Sequence, residues 1–174
     1  MLVVSYYTNE VYRAASEKLA VSLDRFSIPY LIESVTDRGS RLKNQQFKAS
    51  YLLWKLTDLK RDIIWIDAKA VLQKTPLLLQ DTACDIAAYK CGDYYWSGTV
   101  LVRNTPKAAE TLRAWIAGHE RNPDQSDPNF TAAVAEVNPL VRNLPPTYCW
   151  VTKTFEKVFK GDSPVIEHFP IEVS

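Results

Sequence analysis

Residues 62–72 read Asp-Ile-Ile-Trp-Ile-Asp-Ala-Lys-Ala-Val-Leu, an apolar run that stops at Asp67 and sets Lys69 two positions later. A buried strand of an α/β sheet that delivers an acidic side chain at its carboxyl end is a common way to present a metal- or phosphate-handling group. The carboxylate would hold a cation, and the ammonium would meet phosphate oxygen as a point charge. The same D-x-K string also suits a metal-dependent nuclease, with the acid as ion ligand and the lysine at the transition state.

An acid in that place needs a sheet around it. Residues 2–8 read as a first strand that ends in a polar turn at Thr8-Asn9, and Ala15, Leu19, Leu23 and Phe26 then recur at helical spacing until Ser27-Ile28-Pro29. Residues 30–35 form the second expected strand. Phe47, Tyr51 and Trp54 share a face of the next helix, which runs to about Leu59 and carries Lys48, and residues 62–67 are the third strand. This alternation of apolar strands with helices predicts an α/β fold with a mixed, mostly parallel, Rossmann-like sheet and helices on both faces. The five glycines, at 39, 92, 98, 118 and 161, are too scattered for a G-x-G-x-x-G or Walker A loop. Dinucleotide and P-loop chemistry are disfavoured.

The second half is patterned differently. Residues 76–79 suggest a helical turn, 85–89 and 96–103 two strands, and Pro106 opens a helix whose apolar face is Ala108, Ala109, Leu112, Trp115 and Ile116. A further helix is expected over 124–136, broken or delayed at Pro128. Short apolar runs at 140–144 and 165–169 read as strands flanking Pro145-Pro146.

At 174 residues, 47% hydrophobic and 24% charged, the chain fits one globular domain spanning 1–174. A formal charge of +1 gives no case for bulk nucleic-acid or membrane binding, so small, specific partners are expected. Cys84, Cys91 and Cys149 are odd in number and lack C-x-x-C spacing, which signals neither a disulfide framework nor zinc. The amino terminus turns polar too soon for a signal peptide, and no apolar run approaches the roughly 20 residues of a membrane span. A cytoplasmic protein is expected.

The succession of elements, with several local strings, resembles the GT-A fold of nucleotide-diphospho-sugar transferases, in a small bacterial or phage-type form. Tyr6-Tyr7-Thr8 ends the first strand, Lys48 lies in the helix before the acidic strand, and IIWIDAKAVL stands in the place of the apolar D-x-D segment. Ser97-Gly98-Thr99 followed by VLVRNTP, the helix of Trp115, Asp124-Gln125, Leu144-Pro145-Pro146-x-Tyr148 and Glu167-His168-Phe169 extend the likeness over residues 2–169. Lys69 departs from the pattern, because the second acid of D-x-D usually binds the ion that bridges the donor diphosphate.

The resemblance implies sugar transfer from a nucleotide-diphosphate sugar, a uridine one first, to a hydroxyl acceptor. Growing charge on the leaving diphosphate must be stabilised by a divalent metal or by placed Lys and Arg groups. Asp67 and His168 would be ligands for Mn²⁺ or Mg²⁺, whereas Lys69 would make the metal weaker or dispensable. Asp124 is the first choice for a general base and Asp127 the second, with Gln125 orienting donor or acceptor. Thr8, Lys48, Asp67, Lys69, Ser97 and Gly98 are the expected donor-binding residues.

Each has a plain structural reading as well. Asp124 suits a helix N-cap, Thr8 a turn, Lys48 a solvated helix surface, and Ser97-Gly98 a close turn or bulge. His168 on an apolar strand suits the core. Tyr94, Tyr95 and Trp96 suit either core or saccharide stacking. Two other functions stand beside transfer: a protein of this fold that binds nucleotide or sugar without catalysis, and a PD-(D/E)xK-type nuclease with Glu33 or Asp37 as its upstream acid. The near-zero charge and the unabsorbed D-Q, L-P-P-x-Y and E-H strings count against the nuclease.

Overall fold

The computed structural model describes residues 2–80, 83–152 and 154–170. Its first half alternates β1 (Val3–Tyr7), α1 (Glu10–Arg25), β2 (Tyr30–Ser34), α2 (Arg41–Leu59) and β3 (Ile63–Ile66), as the pattern predicts. Asn9 and Ser40 cap the two helices by accepting the backbone N–H of Tyr12 and Lys43, which satisfies donors that the first turn leaves open. β1 lies between β2 and β3, parallel to both.

After β3 the chain turns sharply at Asp67, whose carbonyl accepts the Ala70 N–H at 2.9 Å. It continues as the short β4 (Ala70–Leu72), which the sequence did not announce. β5 (Ile86–Cys91) and β6 (Tyr94–Val102) form a hairpin whose turn places Gly92 at φ 59°, a left-handed conformation suited to glycine. The strand expected at 96–103 therefore begins two residues earlier and takes in Tyr94 and Tyr95.

α3 (Pro106–Arg121), α4 (Asp127–Val137), β7 (Val141–Leu144), β8 (Trp150–Val151), α5 (Phe155–Val158) and β9 (Ile166–His168) complete the order. α4 starts at Asp127, three residues after the expected position, with Pro128 in its first turn where a missing N–H costs nothing. A 3₁₀ turn at Leu77–Leu79 and another at Pro146–Tyr148 occupy the proline-marked segments.

The main sheet has six strands in the order β2-β1-β3-β6-β5-β7, and β6 alone runs antiparallel to the rest. Strand periodicity divides its side chains between two cores. Val3, Ile64, Ile66, Ala87 and Leu101 pack with Leu19 and Leu23 of α1, whereas Val4, Tyr6, Ile63, Trp65, Ala88 and Val100 pack with α2, α3 and α4. A smaller sheet, β4-β9-β8, lies with the first core. Its register sets Ala70 opposite His168, so a residue near the end of the chain arrives three positions beyond Asp67.

Candidate functional site

Asp67 follows the last residue of β3, at the carboxyl edge of the parallel strands, where an open α/β sheet places its ligand crevice. Its N–H donates to the Gly98 carbonyl at 2.9 Å, fixing the turn against β6. Its carboxylate Oδ1 accepts the indole N–H of Trp65 at 2.7 Å and the Lys48 ammonium at 2.9 Å. Trp65 reaches it because residues two apart on a strand share a face.

Lys48 is buried, 4% exposed, which sets aside its plain structural reading as a solvated helix charge. A buried ammonium needs an oxygen for each proton. Lys48 finds them in Asp67 Oδ1, the Ser97 carbonyl at 2.7 Å and Ser97 Oγ at 3.1 Å. Ser97 Oγ in turn donates to Asp127 Oδ1 at 2.6 Å. One polar chain, Trp65–Asp67–Lys48–Ser97–Asp127, thus joins β3, α2, β6 and α4.

Burial alone would raise the Asp67 carboxyl, but the charges of Lys48, then of His168 and Lys69, outweigh it and hold the group below its ordinary value. His168 is also buried, with Nε2 at 3.0 Å from Thr99 Oγ1. Burial pushes its pKa down to about 4, more than the nearby Asp67 charge restores, so the imidazole is neutral near pH 7. Gly98 lets β6 approach this ring: a Cβ there would stand 3.0 Å from His168 Cε1 and 3.1 Å from Cys149 Sγ. That close approach is the reason for glycine.

Two clefts meet over Asp67. A narrow slot is walled by Tyr6, Tyr7, Thr8, Tyr12, Arg41 and Asn44, and a wider cleft of about 350 Å³ is bounded by Trp96, Ser97, Gly98, Asp127 and His168. Gln45, Lys48, Asp67 and Lys69 border both. The Lys69 ammonium makes no hydrogen bond or ion pair among the described residues. Trp96 is half-buried against Tyr89 and Phe155, with ring centroids at 5.8 and 5.6 Å, and serves both core and cleft wall.

The structure brings together Thr8, Lys48, Asp67, Lys69, Ser97, Gly98, Asp127 and His168. It leaves out Asp124 and Gln125, which are exposed in the loop before α4 and line neither cleft. Because α4 begins at Asp127 with Ser126 as its N-cap residue, Asp124 is not the cap either. The Gln125 carbonyl accepts from Gln46 at 2.9 Å and Asn129 at 3.0 Å, a structural duty. Arg41, Asn44 and Gln45 were missed by sequence reasoning, although they precede Lys48 by seven, four and three residues and so share its helix face.

The donor set for a divalent ion does not fit. Asp67 Oδ1 already accepts two N–H groups, and the nearest charged neighbours are two ammoniums. Among the described residues, no three His, Cys, Asp or Glu side chains gather as a metal site. Nor is a nuclease set assembled: Glu33 bonds Tyr51 at 2.6 Å and Lys55 at 2.9 Å, and Asp37 accepts from Gly39 and Asn44.

The fold is similar to that of a solved glycosyltransferase involved in the glycosylation of the major capsid of PBCV-1, with a TM-score of 0.73. The likeness covers 99% of this chain and 93% of that one at 12% identity, so it is one of fold. No known family matches the sequence, and no curated protein matches it. Among the described residues, no helix is long and apolar enough to cross a membrane.

Proposed function

We propose that the protein transfers a sugar from a nucleoside-diphosphate sugar, a uridine one first, to a hydroxyl acceptor. One observation carries this reading: the chain Asp67–Lys48–Ser97–Asp127 lies where an aromatic slot opens into a wider polar cleft. The slot, with its tyrosines and Thr8, suits a base and ribose. The wider cleft suits a sugar and its acceptor, with Trp96 as a face for stacking. The likeness of fold to a glycosyltransferase supports the same reading.

In a single displacement, Asp127 takes the proton of the acceptor hydroxyl as its oxygen attacks the anomeric carbon. The carbon–oxygen bond to the diphosphate breaks, and the nucleoside diphosphate departs with the electron pair. Ser97 holds Asp127 through both Oγ and backbone N–H, at 2.6 and 3.3 Å, and so orients its carboxylate.

Calorimetry with UDP, GDP and their sugars tests the proposal. Binding of at least one nucleotide, weakened by Thr8→Val, is expected; no binding of any of them overturns it. Lys69 in place of an acid favours a second reading, a binding protein without catalysis. Nucleotide binding with neither donor hydrolysis nor transfer would select that alternative.

A further inference from the structure

From the way the cationic groups are used, we infer that the protein holds a nucleoside diphosphate without a divalent metal, Lys48 occupying the cation position beside Asp67 and Lys69 with Arg41 contacting the phosphates. The inference rests on the proposed donor site and names how that site handles charge.

A divalent ion at the end of β3 would need a cluster of anionic ligands and surplus negative charge, and neither is gathered there among the described residues. The Lys48 ammonium stands 2.9 Å from Asp67 Oδ1, close enough to fill the position of an ion, and its other two protons are taken by Ser97 O and Oγ. All three donors are consumed, so Lys48 neutralises Asp67 and has nothing left for phosphate. The second acid that would hold an ion is a lysine. His168, the remaining nitrogen donor, directs Nε2 at Thr99 Oγ1, 3.0 Å away.

Lys69 and Arg41 differ from Lys48 in one respect: neither side chain has a hydrogen bond or ion pair among the described residues, and both border the slot. Lys69 also borders the wider cleft, which puts it at the junction where a diphosphate would join nucleoside to sugar. A carboxylate neutralised from inside the fold, with two unpaired cations at the rim, leaves the junction positive before any ligand arrives. A dication added there would be repelled at short range, whereas a diphosphate would be attracted. When the sugar leaves, the same ammonium meets the growing charge on the departing oxygen.

Calorimetric titration of UDP and of GDP, once in EDTA and once in millimolar Mn²⁺, is the deciding measurement. Equal affinity in the two buffers, within about twofold, is expected, with about tenfold weaker binding for Lys69→Met and for Arg41→Met at unchanged melting temperature. Lys69→Asp restores the second acid and should bind better with Mn²⁺ than without it. Binding by the unaltered protein only in Mn²⁺ overturns the inference and leaves the donor reading intact. So does unweakened binding by Lys69→Met, or a Lys69→Asp variant indifferent to Mn²⁺. No nucleotide binding in either buffer removes the donor reading itself.

Discussion

Two side chains of this site, Asp127 and His168, are tested in different ways. Asp127 is engaged on Oδ1 by Ser97 and borders the wider cleft. Replacing it with Asn keeps the shape and removes the base, so transfer should slow by about 10²–10⁴-fold with donor affinity largely kept. Single-turnover kinetics with a labelled donor would show it. His168 is tested by pH. Its folded pKa of about 4 lies below the ordinary value of 6.5, so the unfolded chain takes up a proton first as pH falls. Stability is therefore complete above about pH 6.5 and is lost as pH drops through the window down to about 4, by about 2 kcal/mol at pH 5. His119, also lowered by burial, adds to that slope, while Asp67 adds its own loss only at lower pH. Urea titrations at pH 7 and pH 5 should thus show a smaller difference for His168→Gln than for the unaltered protein. Single residues were readable unevenly. Asp67 declared itself by ending an apolar run, but the burial of Lys48 could not be read locally, because the oxygens that satisfy it come from β3 and β6. Asp124 and Asp127 are three residues apart, and only the true start of α4 separates them.

That start is set by a joint between helices. Asn129 is 1% exposed, and its Nδ2 lies 2.9 Å from the Asn122 carbonyl, 3.0 Å from that of Gln125 and 3.0 Å from His119 Nδ1. Carbonyls only accept, so the amide nitrogen must face them, its two N–H groups shared among the two carbonyls and His119 Nδ1 as acceptors. Gln46 of α2 reaches the same loop at Pro123 and Gln125. Gly118 permits the contact, since a Cβ there would come within 3.3 Å of Asn129 Cβ. Asn129→Ala leaves two carbonyls without this donor and should cost about 1–3 kcal/mol in urea unfolding. Because Asp127 lies two residues away on the same first turn, kcat should also fall, although Asn129 lines neither cleft. Stability loss with unchanged kcat would show that the joint does not position Asp127. At this level the first half followed its hydrophobic periods closely, because each helix pairs a strong apolar face with a strand buried on both sides. The shorter elements did not. β4 has three residues and exists because β9 pairs with it, a partnership between positions 70 and 168 that no local pattern contains.

Across the whole molecule, the polar chain at the site spans separations of 19, 49 and 30 residues, from Lys48 to Asp67, Lys48 to Ser97 and Ser97 to Asp127. Its members come from β6 and α4 as well as from the early βαβ region, so it closes only when both halves of the main sheet are in place. The two cores lie on opposite faces of that one sheet, and neither can be exposed without disturbing strands that carry the other. A ligand seated over Asp67 should therefore stabilise the entire fold. Binding to the folded state alone adds about 2.7 kcal/mol at a ligand concentration 100 times Kd. For a chain of this size that corresponds to a rise in Tm of about 5–10 °C. UDP or GDP, whichever binds in calorimetry, should give that rise with one cooperative transition, followed by far-ultraviolet circular dichroism and by tryptophan fluorescence together. Trp65 and Trp96 border the site, whereas Trp115 and Trp150 lie fully buried in the two cores. If fluorescence shifted with nucleotide while the circular dichroism midpoint stayed fixed, the site would be coupled to its own rim and not to the sheet that builds it.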